Sequence, residues 1–212
     1  MYKAKEARMK ILRVSYKAGA CHIGSALSCV EILEEIYRKK KKKDVFIFAK
    51  ASGVAALYCR LFSEDKAVEY LKNYPLPSKE VPGILHSFGS VGHGLPVAVG
   101  LALGNRKRDV YVLLSDGDIQ EGTMWESILF ARQHKLKNLK IYVDRNMFQG
   151  CGRTEEILGI EKALVVLNML FPLNVRKTKK GQGVEGFEGK AESHYKNLDY
   201  DGLTKALLQL SR

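Results

Sequence analysis

Two short, wholly apolar runs, at 45–48 and 110–114, and a third at 139–143 interrupted only by Lys140, stand between stretches whose apolar residues recur at helical spacing. An apolar run without polar alternation is buried on both faces, and a strand covered on both faces belongs to a parallel sheet with helices above and below. The order of strands and helices leads to the same place, because parallel neighbours need a crossover and a helix is the usual one. The predicted fold class is therefore α/β, a three-layer α/β/α arrangement around a mostly parallel sheet.

The segments between the runs fill in the layers. Ala4, Ala7, Ile11, Leu12 and Val14 predict a first helix over 4–18. Residues 19–24 read as a break, after which Ser28 and Glu31 form a capping-box pattern and Val30, Leu33, Ile36 and Tyr37 give a second helix one apolar face, ending near Lys40. Ala- and Gly-rich sequence after Phe48 predicts a helix through Phe62. Pro75, Pro77 and Pro82 make 74–86 an irregular connection. Residues 89–94, Gly-Ser-Val-Gly-His-Gly, form a glycine-rich loop opening a helix. Further helices are predicted over 123–134, after Glu155 and over 202–210, with a weaker strand around Val175. No repeat or long linker divides the chain, so 1–212 is predicted as one domain.

Composition narrows the function. No apolar run approaches the length needed to cross a bilayer, and the charged N-terminal residues lack a signal-peptide pattern. Cys21, Cys29, Cys59 and Cys151 are scattered without a Cys-x-x-Cys pair, which suggests neither disulfides nor a zinc site and fits a reducing cytoplasm. The formal charge of +12 raises nucleic acid as a partner. However, the basic clusters at 38–43 and 176–180 have no base-stacking aromatic pattern beside them, so nucleic acid is not expected. The first cluster reads as the solvated end of a helix. An anionic small molecule suits the charge equally well.

In open parallel sheets, ligands bind beyond the carboxyl ends of the strands. Ser115-Asp116-Gly117-Asp118 follows one predicted strand and Asp144-Arg145-Asn146-Met147-Phe148 the next. A carboxylate from the first loop, an amide oxygen from the second and a carbonyl near Phe148 make an incomplete all-oxygen sphere of the kind that holds magnesium against a diphosphate. Gly117 lets backbone approach phosphate, and the loop 89–94 offers amides at a helix start. Each signal alone is ordinary. Asp-Gly is a common turn, and Gly-x-x-Gly-x-Gly is not the dinucleotide fingerprint. Together they favour a metal–diphosphate site.

These residues resemble the N-terminal, pyrophosphate-binding half of transketolases, especially separately encoded N-terminal subunits. The Gly-Asp-Gly…Asn motif of thiamine diphosphate enzymes is matched by Ser115-Asp116-Gly117 and Asn146, with Ser for the first Gly. Gly-Ser-Val-Gly-His-Gly-Leu-Pro-Val-Ala-Val-Gly from Gly89, the stretch from Ser115 to Glu126, Cys21-His22-Ile23-Gly24-Ser25 and Lys177-Thr178-Lys179-Lys180-Gly181-Gln182-Gly183-Val184 are similar to further family segments. The resemblance spans nearly the whole chain and implies the thiamine diphosphate-binding fold.

It implies that Asp116, Asn146 and the Phe148 carbonyl bind Mg2+ or Ca2+, and that Ser52, Gly89, Ser90, Val91, Gly117, Asn146 and His194 bind thiamine diphosphate. His22 and His194 would face the diphosphate and the sugar, and Glu121 would sit at a subunit contact joining two active sites; these three form the implied catalytic set. His93 would be a loop residue near the cofactor. The implied reaction transfers a two-carbon ketol unit between sugars or sugar phosphates. The glutamate that activates the cofactor belongs to a pyrimidine-binding domain outside these 212 residues. Hence a separate, transketolase C-terminal-like subunit is expected, in an α2β2 assembly.

The sequence departs from the family in three places. Ala49-Lys50-Ala51-Ser52 replaces Ser-Lys-Gly-His, so Ser52 stands where a substrate-handling imidazole is usual. A Gly-His-Pro segment has no clear counterpart around 77–86. Between Leu158 and Arg176 roughly one strand–helix unit, on the order of 30 residues, is missing. Two alternatives stay open: another thiamine diphosphate carbon–carbon bond reaction, such as decarboxylating acyloin formation, and a non-catalytic regulatory relative.

Overall fold

A computed structural model describes residues 4–87, 89–150 and 152–211; Cys151, weighed above, lies outside them, as do Met1, Tyr2 and Lys3. Helix α1 (Ala4–Ala18) buries Ala7, Ile11, Leu12 and Val14, on the spacing the sequence shows. Where the sequence reads as a break, a short buried helix α2 (Ile23–Ser28) precedes α3 (Val30–Lys39). The capping box expected of Ser28 and Glu31 does not form. Cys29 is the N-cap and makes no side-chain cap bond. The Ser28 hydroxyl donates instead to Asp144 Oδ2 at 2.6 Å, with the Ser25 carbonyl 3.1 Å away, while Glu31 takes the Arg8 guanidinium at 2.7 Å. A wholly buried hydroxyl goes to the strongest acceptor in reach, and here that is a buried carboxylate.

Strand β1 (Val45–Phe48) leads through a 3-10 turn to α4 (Val54–Leu61). Helix α5 (Glu64–Asn73), which the sequence reading missed, starts at Ser63, whose hydroxyl accepts from the Lys66 amide. After the proline-rich connection come α6 (Gly94–Gly104), β2 (Val110–Ser115), α7 (Asp116–Ile119), α8 (Gly122–Gln133) and β3 (Leu139–Arg145). A small hairpin, β4 (Phe148–Gln149) with β5 (Gly152–Arg153), precedes α9 (Thr154–Ile157) and α10 (Glu161–Leu170). Strand β6 (Leu173–Lys177), a 3-10 turn at Ala191–His194 and α11 (Tyr200–Ser211) complete the chain.

The sheet has the order β1-β2-β3-β6, all parallel. Alternate strand residues feed opposite faces, as the period of a strand requires. Phe46, Phe48, Tyr111, Leu113 and Tyr142 pack with α1, α2, α3, α4, α5 and α11. Val45, Ile47, Val110, Val112, Leu114, Ile141 and Val143 pack with α6, α8 and α10. These two cores give the expected three layers. Each fully buried Val, Leu, Ile or Phe contributes about 1.5–3 kcal/mol, so β1, β2 and β3, apolar on both faces, anchor the fold. The edge strand β6 is only half-buried. No helix among the described residues is long and apolar enough to cross a membrane.

Candidate functional site

Strand register sets the site. Ser115 at the end of β2 pairs with Asp144 in β3, which brings Asp116, the first residue of α7, beside Arg145, the last of β3. Ser115 also caps α7. Its amide and hydroxyl each donate to Asp118 Oδ2 at 2.7 Å, and its Oγ accepts from the Asp118 amide, which makes a capping box. Asp118 Oδ1 then accepts the Gly92 amide at 2.8 Å, tying the glycine-rich loop to β2. One amide expected to meet an anion is thus used inside the protein. Gly92 has φ of 85°, and a Cβ there would lie 2.6 Å from Thr123 Oγ1, so the close approach requires glycine.

The carboxyl ends of β1, β2 and β3 open into a cleft of about 350 Å³. Of the predicted residues, His22, Ser52, Gly89 and Val91 line it, together with Gly117, Glu121, Phe148 and His194. Ser90, predicted to bind the cofactor, is exposed and does not line the cleft, and neither does the exposed His93 at the start of α6. Asp116 and Asn146 are buried behind the wall, at 0% and 3% exposure. A backbone loop that carries its polar side chains inward leaves its glycine, not its carboxylate, at the surface.

Two cations in the cleft were not singled out from the sequence. Lys50, 3% exposed, stands 3.4 Å from Asp144 Oδ2. Burial pulls its ammonium towards neutrality, but the facing Asp144, with Cys29 and Asp116, outweighs that and holds its pKa above the usual lysine value. Lys180 is 1% exposed, 3.5 Å from His194 Nδ1, and pushed down to about 8 by burial and by Lys50. Both lysines sit in family-like segments, but only the fold shows that they converge. They make the cleft suitable for an anion.

The imidazoles respond to the same charges. His194 is pushed down to about 4 by burial, Lys180, His22 and Lys50, and His22 is lowered by burial, Lys180 and Lys50. Both rings are therefore neutral at physiological pH, each able to donate at one nitrogen and accept at the other. Gly24 supports this pairing, since a Cβ there would meet Ser193 Oγ at 2.5 Å and push away the turn that carries His194. His86, buried near the end of β1, has Nε2 3.2 Å from the Phe48 carbonyl and does not line the cleft.

The oxygens behind the wall fit a hard divalent cation. Asp116 is completely buried, and its Oδ1 accepts no hydrogen bond among the described residues. Burial raises its carboxyl to about 6 despite the Arg145 guanidinium beside it, so a further positive charge would be stabilising there. Among the described residues Asn146 Oδ1 accepts one bond, from the Phe148 amide at 3.0 Å, which leaves a second lone pair. Carboxylate, amide oxygen and backbone carbonyl are the donors magnesium or calcium takes.

Comparison with known proteins agrees with this geometry. A family model described as "Thiamine pyrophosphate enzyme, C-terminal TPP binding domain" matches residues 67–207. The chain is also 33% identical to an apulose-4-phosphate transketolase subunit from Actinobacillus succinogenes, across 98% of this chain and 94% of that protein. It belongs to the transketolase-like thiamine pyrophosphate enzymes. A second relative, the apulose-4-phosphate transketolase subunit from Phocaeicola vulgatus, is 31% identical across 91% of this chain and 86% of its own. The alignment to the Actinobacillus protein runs over 262 positions against the 212 residues here, so that family member carries segments with no counterpart in this chain. Transketolase from Leishmania mexicana superposes with a TM-score of 0.85 at 17% identity, over 100% of this chain and 42% of that one. The family fold is therefore shared, and the chain spans about two fifths of that transketolase.

Proposed function

We propose that this chain is the pyrophosphate-binding α subunit of a transketolase-like enzyme that moves a two-carbon ketol unit between sugar phosphates, with a separate pyrimidine-binding subunit completing the active site. One observation carries the reading: the neutral imidazoles of His22 and His194 and the buried Lys50 and Lys180 meet one cleft at the ends of adjacent parallel strands, and Asp116 and Asn146 lie buried behind its wall. That combination offers a cation site, fixed positive charge for phosphate and two proton-exchanging rings within a few side chains of one another.

Asp116, Asn146 and the Phe148 carbonyl are the residues that hold Mg2+ or Ca2+ in this reading, and Gly117 leaves the wall open to the diphosphate. Lys50 and Lys180 hold anionic groups by charge. His22 and His194 orient hydroxyls of the sugar and pass protons at their ring nitrogens. Ser52 supplies a hydroxyl to the cofactor or the substrate. Glu121, half-exposed beside the glycine-rich loop, faces a neighbouring subunit. When bound, thiamine diphosphate supplies the electron sink needed to break and make a bond next to a carbonyl. The names of the relatives, each one subunit of a transketolase for apulose-4-phosphate, support a heteromeric assembly, for which we take α2β2, in the cytoplasm. The longer alignment supports a shortened chain, and we place the missing segment around 158–176 of a single domain.

Calorimetry with thiamine diphosphate and Mg2+, on this chain alone and then with a transketolase C-terminal-like subunit, tests the reading. Binding that becomes tight only with the second subunit, followed by ketol transfer from a ketose phosphate, is the expected result. Absence of binding in both cases would leave a non-catalytic relative.

A further inference from the structure

The contact between Arg145 and Asp116 is a charge pair without a directional bond. Arg145 Nη1 lies 3.1 Å from Asp116 Oδ1, yet neither atom makes a hydrogen bond among the described residues. The same guanidinium is held firmly by its other end, with Nη2 donating to Glu155 Oε1 at 2.6 Å. Arg145 is 5% exposed and Glu155 35%, so the pair runs from the buried oxygen out to α9. Glu155 Oε1 also accepts the Ile160 amide at 3.1 Å, just before α10. One end of the arginine is thus fixed and the other lies against the oxygen that the proposed metal would take.

We propose that Arg145 is the resident counter-cation of Asp116 and competes with the divalent metal for it, so that metal loading requires the guanidinium to turn from Asp116 towards Glu155. This rests on the metal site proposed above. The physical reason is that a buried carboxylate needs one compensating charge, and a dication and a guanidinium on the same oxygen repel each other. Glu155 is the acceptor that keeps the displaced arginine paired. Arg145 is a positioning residue here, and it sets the metal concentration at which the site fills.

The test is Mn2+ binding at fixed thiamine diphosphate by the full chain assembled with a transketolase C-terminal-like subunit, followed by the paramagnetic resonance of the free ion, with thermal unfolding of the chain alongside. Arg145→Gln is expected to tighten Mn2+ about tenfold or more and to lose stability only when Mn2+ is absent. Glu155→Gln, which leaves Arg145 no other carboxylate, is expected to weaken Mn2+ several-fold. Arg153→Gln removes an exposed cation whose guanidinium lies 5.8 Å from the Phe148 ring centre, and should change affinity by less than about twofold. Equal tightening in Arg145→Gln and Arg153→Gln would overturn the proposal in favour of long-range charge. So would unchanged or weaker binding in Arg145→Gln. If that variant does not fold, unchanged or tighter binding in Glu155→Gln overturns it. Binding by Arg145→Gln but not by the unaltered chain supports the proposal. Absence of binding by every form would remove the metal site itself.

Discussion

The imidazole of His22 lies 4.5 Å from that of His194, centre to centre, and the His22 amide donates to the His194 carbonyl at 2.8 Å. His22 holds a left-handed backbone conformation, with φ of 63°, at the start of α2. Such a conformation is sparsely populated by side chains of this kind, and it persists where the surroundings fix it. Here the bond to the turn at Ala191–His194 does so. The N-terminal helices and the C-terminal segment are joined at the cleft.

This pairing makes acid sensitivity a test of the site. The unfolded chain takes up a proton at each histidine near pH 6.5, whereas folded His194 resists until about 4. Between those values the unfolded state binds more protons, so stability falls as pH drops from about 6.5 towards 4, and this residue adds no pH dependence above about 6.5. The thermal midpoint of His194→Gln should therefore fall less steeply over that window than that of the unaltered chain. Parallel curves would mean that His194 is not held neutral by the fold.

Gly92 offers a local test of the glycine-rich loop. An alanine there would carry a positive φ and press its Cβ against Thr123 and Glu121. We expect Gly92→Ala to cost about 2 kcal/mol or more and to lower the thermal midpoint by several degrees. Gly100, whose added Cβ would meet nothing within 4 Å, is the control, and Gly100→Ala on helix α6 should stabilise by about 0.5–1 kcal/mol.

Asp144 gathers the Ser28 hydroxyl, the Thr178 hydroxyl and the Lys50 ammonium in the interior. Removing only Lys50 leaves a buried carboxylate without its counter-charge, so Lys50→Met should cost about 3–5 kcal/mol in urea unfolding. Lys50→Met combined with Asp144→Asn should cost clearly less than the two single changes added together. Additive losses would show that the two groups do not depend on each other.

For Asp116→Asn we expect metal-dependent cofactor affinity to drop on the order of a hundredfold in calorimetry. Stability should change by no more than about 1 kcal/mol, since Arg145 stays paired with Glu155 and the amide is spared the burial cost of the carboxylate. Unaltered affinity would take Asp116 out of the metal site.

The strands 45–48 and 110–114 were legible in the sequence because an unbroken apolar run has one comfortable environment, and 139–143 because Lys140 alone interrupts its apolar residues. The placement of Asp116 and Asn146 just beyond two strand ends was legible because the strands themselves were. Helix α2 was not, since Gly24 and the short length hide it, and α5 escaped because its cap is a lone serine followed by charged residues. The pattern at Ser28 and Glu31 was misleading. A capping box is a local motif, and the local bond lost to Asp144, a partner from β3 that no window around residue 28 contains.

By itself, then, the sequence determined the alternation of buried strands and helices, the three-layer class and the residue types at the strand ends, all of which follow from short-range periodicity and side-chain chemistry. Only the tertiary structure decided that β1, β2, β3 and β6 lie in that order, that Asp116 and Asn146 are buried beside Arg145 while Gly117 faces the cleft, and that Lys50 and Lys180 supply its positive charge. Those outcomes depend on burial and on contacts between residues far apart in the chain, where the loss of water sets the strength of every charge and no local pattern records the partner.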